Sequence, residues 1–157
     1  MRLHLVAIGQ RMPDWVEQGV AEYQRRLKKT PTPLEVKPVA APKRGRGADV
    51  ERVCREEGEA LLAAVPRGAL CVALDGGGRA WSTAELARQL DGWKHEGRDV
   101  ALLVGGADGL SPECLARCEQ HWSLSSLTFP HALVRVIVAE QIYRAASLLQ
   151  GHPYHRE

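Results

Sequence analysis

The sequence predicts an α/β domain on a mostly parallel five-stranded sheet with helices on both faces. Three observations carry that prediction. Five short apolar runs alternate with five stretches of helical pattern. The runs at 70–74 and 99–104 are almost continuously apolar, as strands covered on both faces are. Most helical stretches open on an Asp or Ser suited to capping free amides.

The first strand is Arg2-Leu3-His4-Leu5-Val6-Ala7-Ile8, stopped by Gly9. Asp14 with Glu17 has the form of a capping box and opens a helix to about Lys28, where Arg25, Arg26, Lys28 and Lys29 complement the helix dipole. Residues 34–39 alternate as a half-exposed second strand, which Pro38 places at or near an edge. Pro42-Lys43-Arg44-Gly45-Arg46-Gly47 follows, a loop of cations and glycines that either grips phosphates or is merely solvated. Asp49 caps a helix to about Ala64 with Val50, Val53, Cys54, Ala60 and Leu61 as inward positions; Pro66 and Gly68 end it.

Residues 70–74 form the third strand, with Asp75-Gly76-Gly77-Gly78 as its turn. Ser82 and Glu85 make a second capping box for a helix through about His95, closed by Gly97. The fourth strand runs into Gly105-Gly106-Ala107-Asp108-Gly109, after which Ser111, Pro112 and Glu113 start a short helix. The alternation from Trp122 through Leu124 suggests a fifth strand that gives way to an apolar and hydroxyl loop before Pro130. The last helix, from about His131 to Leu149, is apolar around most of its circumference. It is expected to be covered by this chain and by a partner.

A chain of 157 residues with 45% hydrophobic and 25% charged content suits one soluble domain. No apolar run is long enough to span a membrane and no secretory leader is visible, which makes the cytoplasm the default. The four cysteines show no zinc-like pairs and read as buried thiols, and Pro153 spoils His152 and His155 as a helical ligand pair, so no metal is expected. A net charge of +2 does not by itself imply nucleic acid.

Ligands of such sheets bind beyond the carboxyl ends of the strands, which carry 75–78, 105–109 and 125–129. Neither glycine turn is a dinucleotide fingerprint or a triphosphate loop. The turns permit close backbone approach, and Leu74, Leu124, Leu127 and Phe129 supply apolar walls that suit a flat base. Two features are odd. The chain ends in Tyr154, His155 and Arg156 where frayed polar residues are usual, and Arg135 sits on an otherwise apolar helix and needs a carboxylate, a phosphate or water. Glu140 and Arg144 have the spacing of a helix-surface pair.

Several segments together carry a resemblance that spans the chain: Leu3-His4-Leu5-Val6-Ala7-Ile8-Gly9, Lys43-Arg44-Gly45, Gly105-Gly106-Ala107-Asp108-Gly109-Leu110-Ser111, Leu124-Ser125-Ser126-Leu127-Thr128-Phe129-Pro130-His131, Val134-Arg135-Val136, Ala139-Glu140-Gln141-Ile142-Tyr143-Arg144-Ala145 and His152-Pro153-Tyr154-His155-Arg156. They resemble the bacterial ribosomal RNA large-subunit methyltransferase H family. The resemblance implies a trefoil-knotted SPOUT α/β-knot fold. In it one domain, 1–157, has its cofactor-binding knot at about 99–149 and a functional tail at 151–157. It also implies a homodimer, S-adenosylmethionine as methyl donor, no metal, and as substrate N3 of a pseudouridine in 23S rRNA of the assembled ribosome. Periodicity alone does not reveal a knot, which is rare among folds.

Carried over, the family's cofactor contacts fall on Leu74, Gly105, Leu124, Ser125, Ser126, Leu127, Thr128 and Phe129. Its functional tail falls on Tyr154, His155 and Arg156. In that reading His155 is a candidate base, Tyr154 orients or stacks on the nucleotide, and Arg156 or Arg135 engages phosphate or ring oxygens, while Lys43, Arg44 and Arg46 contact RNA. The triple glycine after Asp75 departs from the family pattern. The alternative is a ribosome-associated RNA-binding or nucleotide-binding protein without catalysis.

Overall fold

Alternate residues of a strand face opposite ways, and in this chain that alternation builds two cores. The computed structural model describes residues 1–155 except Arg44, Arg46 and Ala48, with His155 described in its backbone alone. Its elements are β1 (Leu3–Ile8), α1 (Asp14–Leu27), β2 (Leu34–Val39), α2 (Val50–Ala63), β3 (Leu70–Ala80), α3 (Thr83–Glu96), β4 (Val100–Val104), α4 (Pro112–Arg117), β5 (Gln120–Ser123) and α5 (His131–Leu149), followed by a 3-10 turn at Pro153–His155. The strands form one five-stranded sheet in the order β2-β1-β4-β3-β5, all pairs parallel. This is the α/β domain with helices on both faces that the alternation predicts.

On one face Leu3, Leu5, Val72, Val100 and Leu102 pack with Val16, Leu90 and Ile142 of α1, α3 and α5. On the other, Val6, Ile8, Ala73, Ala101 and Leu103 meet Leu61 of α2 and Cys114 of α4. Truncating a fully buried leucine such as Leu102 to alanine costs about 2–5 kcal/mol. Cys71, Cys114 and Cys118 are buried free thiols as expected, and Cys54 is half-buried. Among the described residues no group of side chains is arranged to hold a metal, and no helix is long and apolar enough to cross a membrane.

Cap chemistry fixes most helix starts. Asp49 accepts from the amide of Glu51, Ser82 and Glu85 form the full capping box, and Ser111 accepts from the amide of Cys114 ahead of Pro112. Helix α1 departs from the expected box: it begins at Asp14 itself after Pro13, without a side-chain cap, so Asp14 and Glu17 act only as first-turn negative charge. In α2 the inward row is Val53, Glu57, Gly58 and Leu61, while Val50 is 52% exposed. Val50 is the first residue of the helix, next to its Asp49 cap, one turn before the first buried position at Val53.

Two strand boundaries also differ. β3 resumes beyond the glycines and ends at Ala80: Leu74 and Arg79 both pair with Trp122 of β5, so Asp75-Gly76-Gly77-Gly78 bulges out between them instead of ending the strand. A side chain at Gly78 would stand 2.5 Å from the backbone of His121, so the glycine is what lets β5 lie this close. β5 accordingly starts earlier, at Gln120, and stops at Ser123, leaving Leu124 in the loop.

Candidate functional site

The carboxyl ends of β3 and β4 and the segment after β5 meet at a cleft of about 630 Å³, lined by Leu74, Asp75, Gly105, Leu124, Phe129 and Val134 among others. That is the size and place at which sheets of this class bind small molecules. Each wall has a local cause.

Val104 delivers the chain into a tight turn in which the amide of Gly109 donates to the carbonyl of Gly106 at 3.1 Å. A side chain at Gly105 would lie 2.7 Å from the backbone of Gly109, and Gly109 itself has φ +77°. The turn therefore closes only with glycine at both ends. Close approach at Gly105 is thus within the chain as well as towards a ligand. Behind the turn stands the buried Glu57 of α2, whose Oε2 occupies the space a side chain at Gly106 would need, 2.6 Å away.

The opposite wall is 124–130. Ser123 Oγ donates to the carbonyl of Ser125 at 3.1 Å and Ser125 Oγ accepts from the amide of Leu127 at 3.0 Å. Short hydroxyl side chains fold the loop back on itself and push Leu127 outward, where it is 72% exposed at the cleft rim.

Of the positions expected to touch a cofactor, Leu74, Gly105, Leu124, Ser125, Leu127, Thr128 and Phe129 all line this cleft. Ser126 belongs to the same loop but is not among the lining residues. Asp75, in the strand-end turn 75–78 expected to face a ligand, lines it too, as do Trp122, His131 and Val134, which were not singled out for it. Trp122 lies inside β5, where its position marks a strand residue and gives no sign of a cleft wall.

The remaining expected residues are elsewhere. Arg135 is 4% exposed and donates through one guanidinium nitrogen to the carbonyls of Ile8 at 2.7 Å and Gly9 at 2.6 Å. Its buried Nε meets no acceptor among the described residues, and burial lowers the pKa of the guanidinium. It borders a separate hollow with Met12, Glu17 and Gln24 instead of the cleft. The acceptors that Arg135 meets in this chain are main-chain carbonyls at the end of β1, and it ties that end to α5.

Among the described residues none beyond Val134 lines the cleft, and Tyr154 is held elsewhere. The Tyr154 hydroxyl lies 3.2 Å from the Tyr23 hydroxyl and 3.4 Å from a Glu140 carboxylate oxygen, its one proton serving either, and its ring meets that of Tyr143 edge-on at 4.7 Å. In this chain Tyr154 is thus docked on α1 and α5. The side chain of His155 and all of Arg156 lie outside the described residues, as do Arg44 and Arg46; Lys43 is exposed.

Comparison with known proteins agrees with this architecture. A family model described as "Predicted SPOUT methyltransferase" matches residues 1–155. The chain is 58% identical, over the full length of both, to the ribosomal RNA large subunit methyltransferase H of Thioalkalivibrio sulfidiphilus (strain HL-EbGR7). Among solved structures it resembles a probable methylase family protein of Haemophilus influenzae Rd KW20, at TM-score 0.54 and 14% identity over 98% of this chain and 69% of that one. It also resembles a protein studied for the 2-OH methylation of C/U34 on tRNA, at TM-score 0.51 and 23% identity over 92% and 90%. At those identities the two structures speak to the fold alone.

Proposed function

Since the chain belongs to the SPOUT methyltransferase family, we propose that it transfers a methyl group from S-adenosylmethionine to N3 of a pseudouridine in 23S rRNA of the assembled ribosome. The observation that carries this reading is the cleft at three strand ends, together with full-length similarity to a large-subunit rRNA methyltransferase. In this reading 1–157 is one domain, 99–149 is its knotted cofactor-binding part and 151–157 its functional tail. The placement of β5 beyond β3 rather than beside β4 supports a chain that crosses back over itself.

The residues fit the donor. Leu74, Leu124 and Phe129 offer apolar faces for a flat adenine, and the glycines at 105, 106 and 109 leave backbone open for hydrogen bonds to it. Bound there, the sulfonium supplies an already activated methyl group. The chain then has to align the acceptor, exclude water and handle one proton. N3 of a uracil-type ring loses its proton around transfer; His155 takes it, and Arg156 meets the ring oxygen or phosphate beside it. Lys43, Arg44 and Arg46 hold the RNA backbone.

The test is methyl transfer from labelled donor to ribosomes of cells lacking the protein, with mass spectrometry of the 23S rRNA. We expect one methyl per large subunit, on a pseudouridine base. Tight, salt-dependent particle binding without transfer would instead leave a non-catalytic RNA-binding factor. In the same assay, neutralising Lys43, Arg44 and Arg46 should weaken ribosome binding and lower the slope of log affinity against log salt by about 2–3, one phosphate contact per cation. An unchanged slope removes the loop from the interface.

A further inference from the structure

The tail that this reading makes functional is attached in an unusual way. Its backbone leaves α5 through two hydrogen bonds, Gly151 N to Leu148 O at 3.3 Å and His152 N to Ser147 O at 2.9 Å. Beyond them, among the described residues, the hydrogen bonds that tie the tail to the rest of the fold come from the Tyr154 hydroxyl. One side chain thus sets where the last residues point.

That side chain lies in a built enclosure. Tyr23 of α1 and Tyr143 of α5 flank its ring at 6.5 and 4.7 Å between centroids. The Arg26 guanidinium lies 5.4, 5.5 and 5.8 Å from the rings of Tyr23, Tyr143 and Tyr154, and Arg144 lies 5.0 Å from Tyr154. Arg26 is itself held by Glu22, with its Nε 3.0 Å from the carboxylate, and Arg144 by Glu140 at 2.7 Å. Burial and then the Tyr23 hydroxyl push the phenol of Tyr154 up, as a docked and neutral ring requires. Edge-to-face rings and planar cations lose little freedom when fixed, which makes them good anchors.

We propose that Tyr23 and Arg26 are positioning residues of the methyl transfer: by locking Tyr154 against α5 they aim the end of the tail, without touching donor or base. This rests on the function proposed above. α1 thereby acquires a task beyond covering the sheet.

The experiment uses the full-length protein with ring-¹³C tyrosine. The chain has only 3 tyrosines, so their ring signals can be assigned singly. In wild type the Tyr143 and Tyr154 rings should show mutual cross-relaxation. In Tyr23→Ala that contact should vanish and the Tyr154 signals move to free-tyrosine positions, while donor affinity stays within about twofold and kcat falls on the order of a hundredfold. Tyr23→Phe keeps the ring and loses one hydrogen bond, so its Tyr143–Tyr154 contact should persist with kcat about fivefold lower; it also serves if Tyr23→Ala does not fold. Arg26→Lys, which keeps charge without the planar stack, should fall between them. A Tyr154 ring that stays docked in Tyr23→Ala overturns the proposal. So does a freed tail with unchanged kcat, or a Tyr23→Phe variant equal to wild type in both kcat and phenol titration. Absence of transfer by the wild type would strike the proposed function instead, with the ring contacts still deciding the docking.

Discussion

Removing residues Tyr154 to Glu157 is expected to abolish methyl transfer to ribosomes while leaving donor affinity within about twofold and the fold intact. The expectation follows from where things lie. Every described residue lining the cleft precedes Arg135, so the truncation removes no described wall of the pocket. The buried cores end at Ala146, and Tyr154 contributes its half-buried docking on Tyr23 and Tyr143. In the function proposed above, what is lost is the group that takes the N3 proton and the cation beside it. A positioned acid or base contributes about 10²–10⁴-fold, and loss of alignment adds to that, so activity should fall below detection. Calorimetry with S-adenosylmethionine and transfer to ribosomes, run on one preparation, separate the two effects. Full activity in the truncated protein refutes a functional tail; loss of donor binding along with activity means the tail builds the donor pocket.

The parts of this molecule legible in the sequence are those with local causes. Asp49, Ser82 and Ser111 each satisfy amides within three residues of themselves, and their helices start where those side chains say. The continuous apolar runs of β3 and β4 required two covered faces, and the two cores supply them. The cleft loops were found because strand ends and glycine turns are sequence features. What failed depended on a distant partner. β3 bulges at its glycines and then resumes pairing, because β5 lies against Gly78. Arg135 looked like an anion site because its acceptors, the carbonyls of Ile8 and Gly9, stand about 126 residues away in sequence and are main chain, which no pattern of side chains displays. The docking of Tyr154 on Tyr23 likewise joins residues 131 apart.

The same placement bears on how a working site is assembled. Tyr154 fastens the tail to the α1–α5 side of its own chain, and no described tail residue lines that chain's cleft, so the site proposed above is expected to take its tail from a second copy. α5 keeps Leu133, Val136 and Ile137 only half-buried within the chain, apolar surface that a second copy would cover. A two-fold interface through it would carry each tail to the other chain. Two inactive variants decide the matter. Gly105→Val forces a side chain into the 2.7 Å approach to Gly109, opening the turn and emptying the donor pocket of its shape. The tail-deleted chain keeps its pocket and lacks the proton-handling groups. Co-expressed with separate tags and purified as a heterodimer, they should recover roughly half the wild-type activity per dimer, because one of the two sites joins an intact pocket to the partner's intact tail and independent sites add. If each chain built its own site, both would be broken and the heterodimer would stay as silent as its parents. Size-exclusion and melting curves matched to wild type would then assign that silence to a site built in one chain, and the shared site would be wrong.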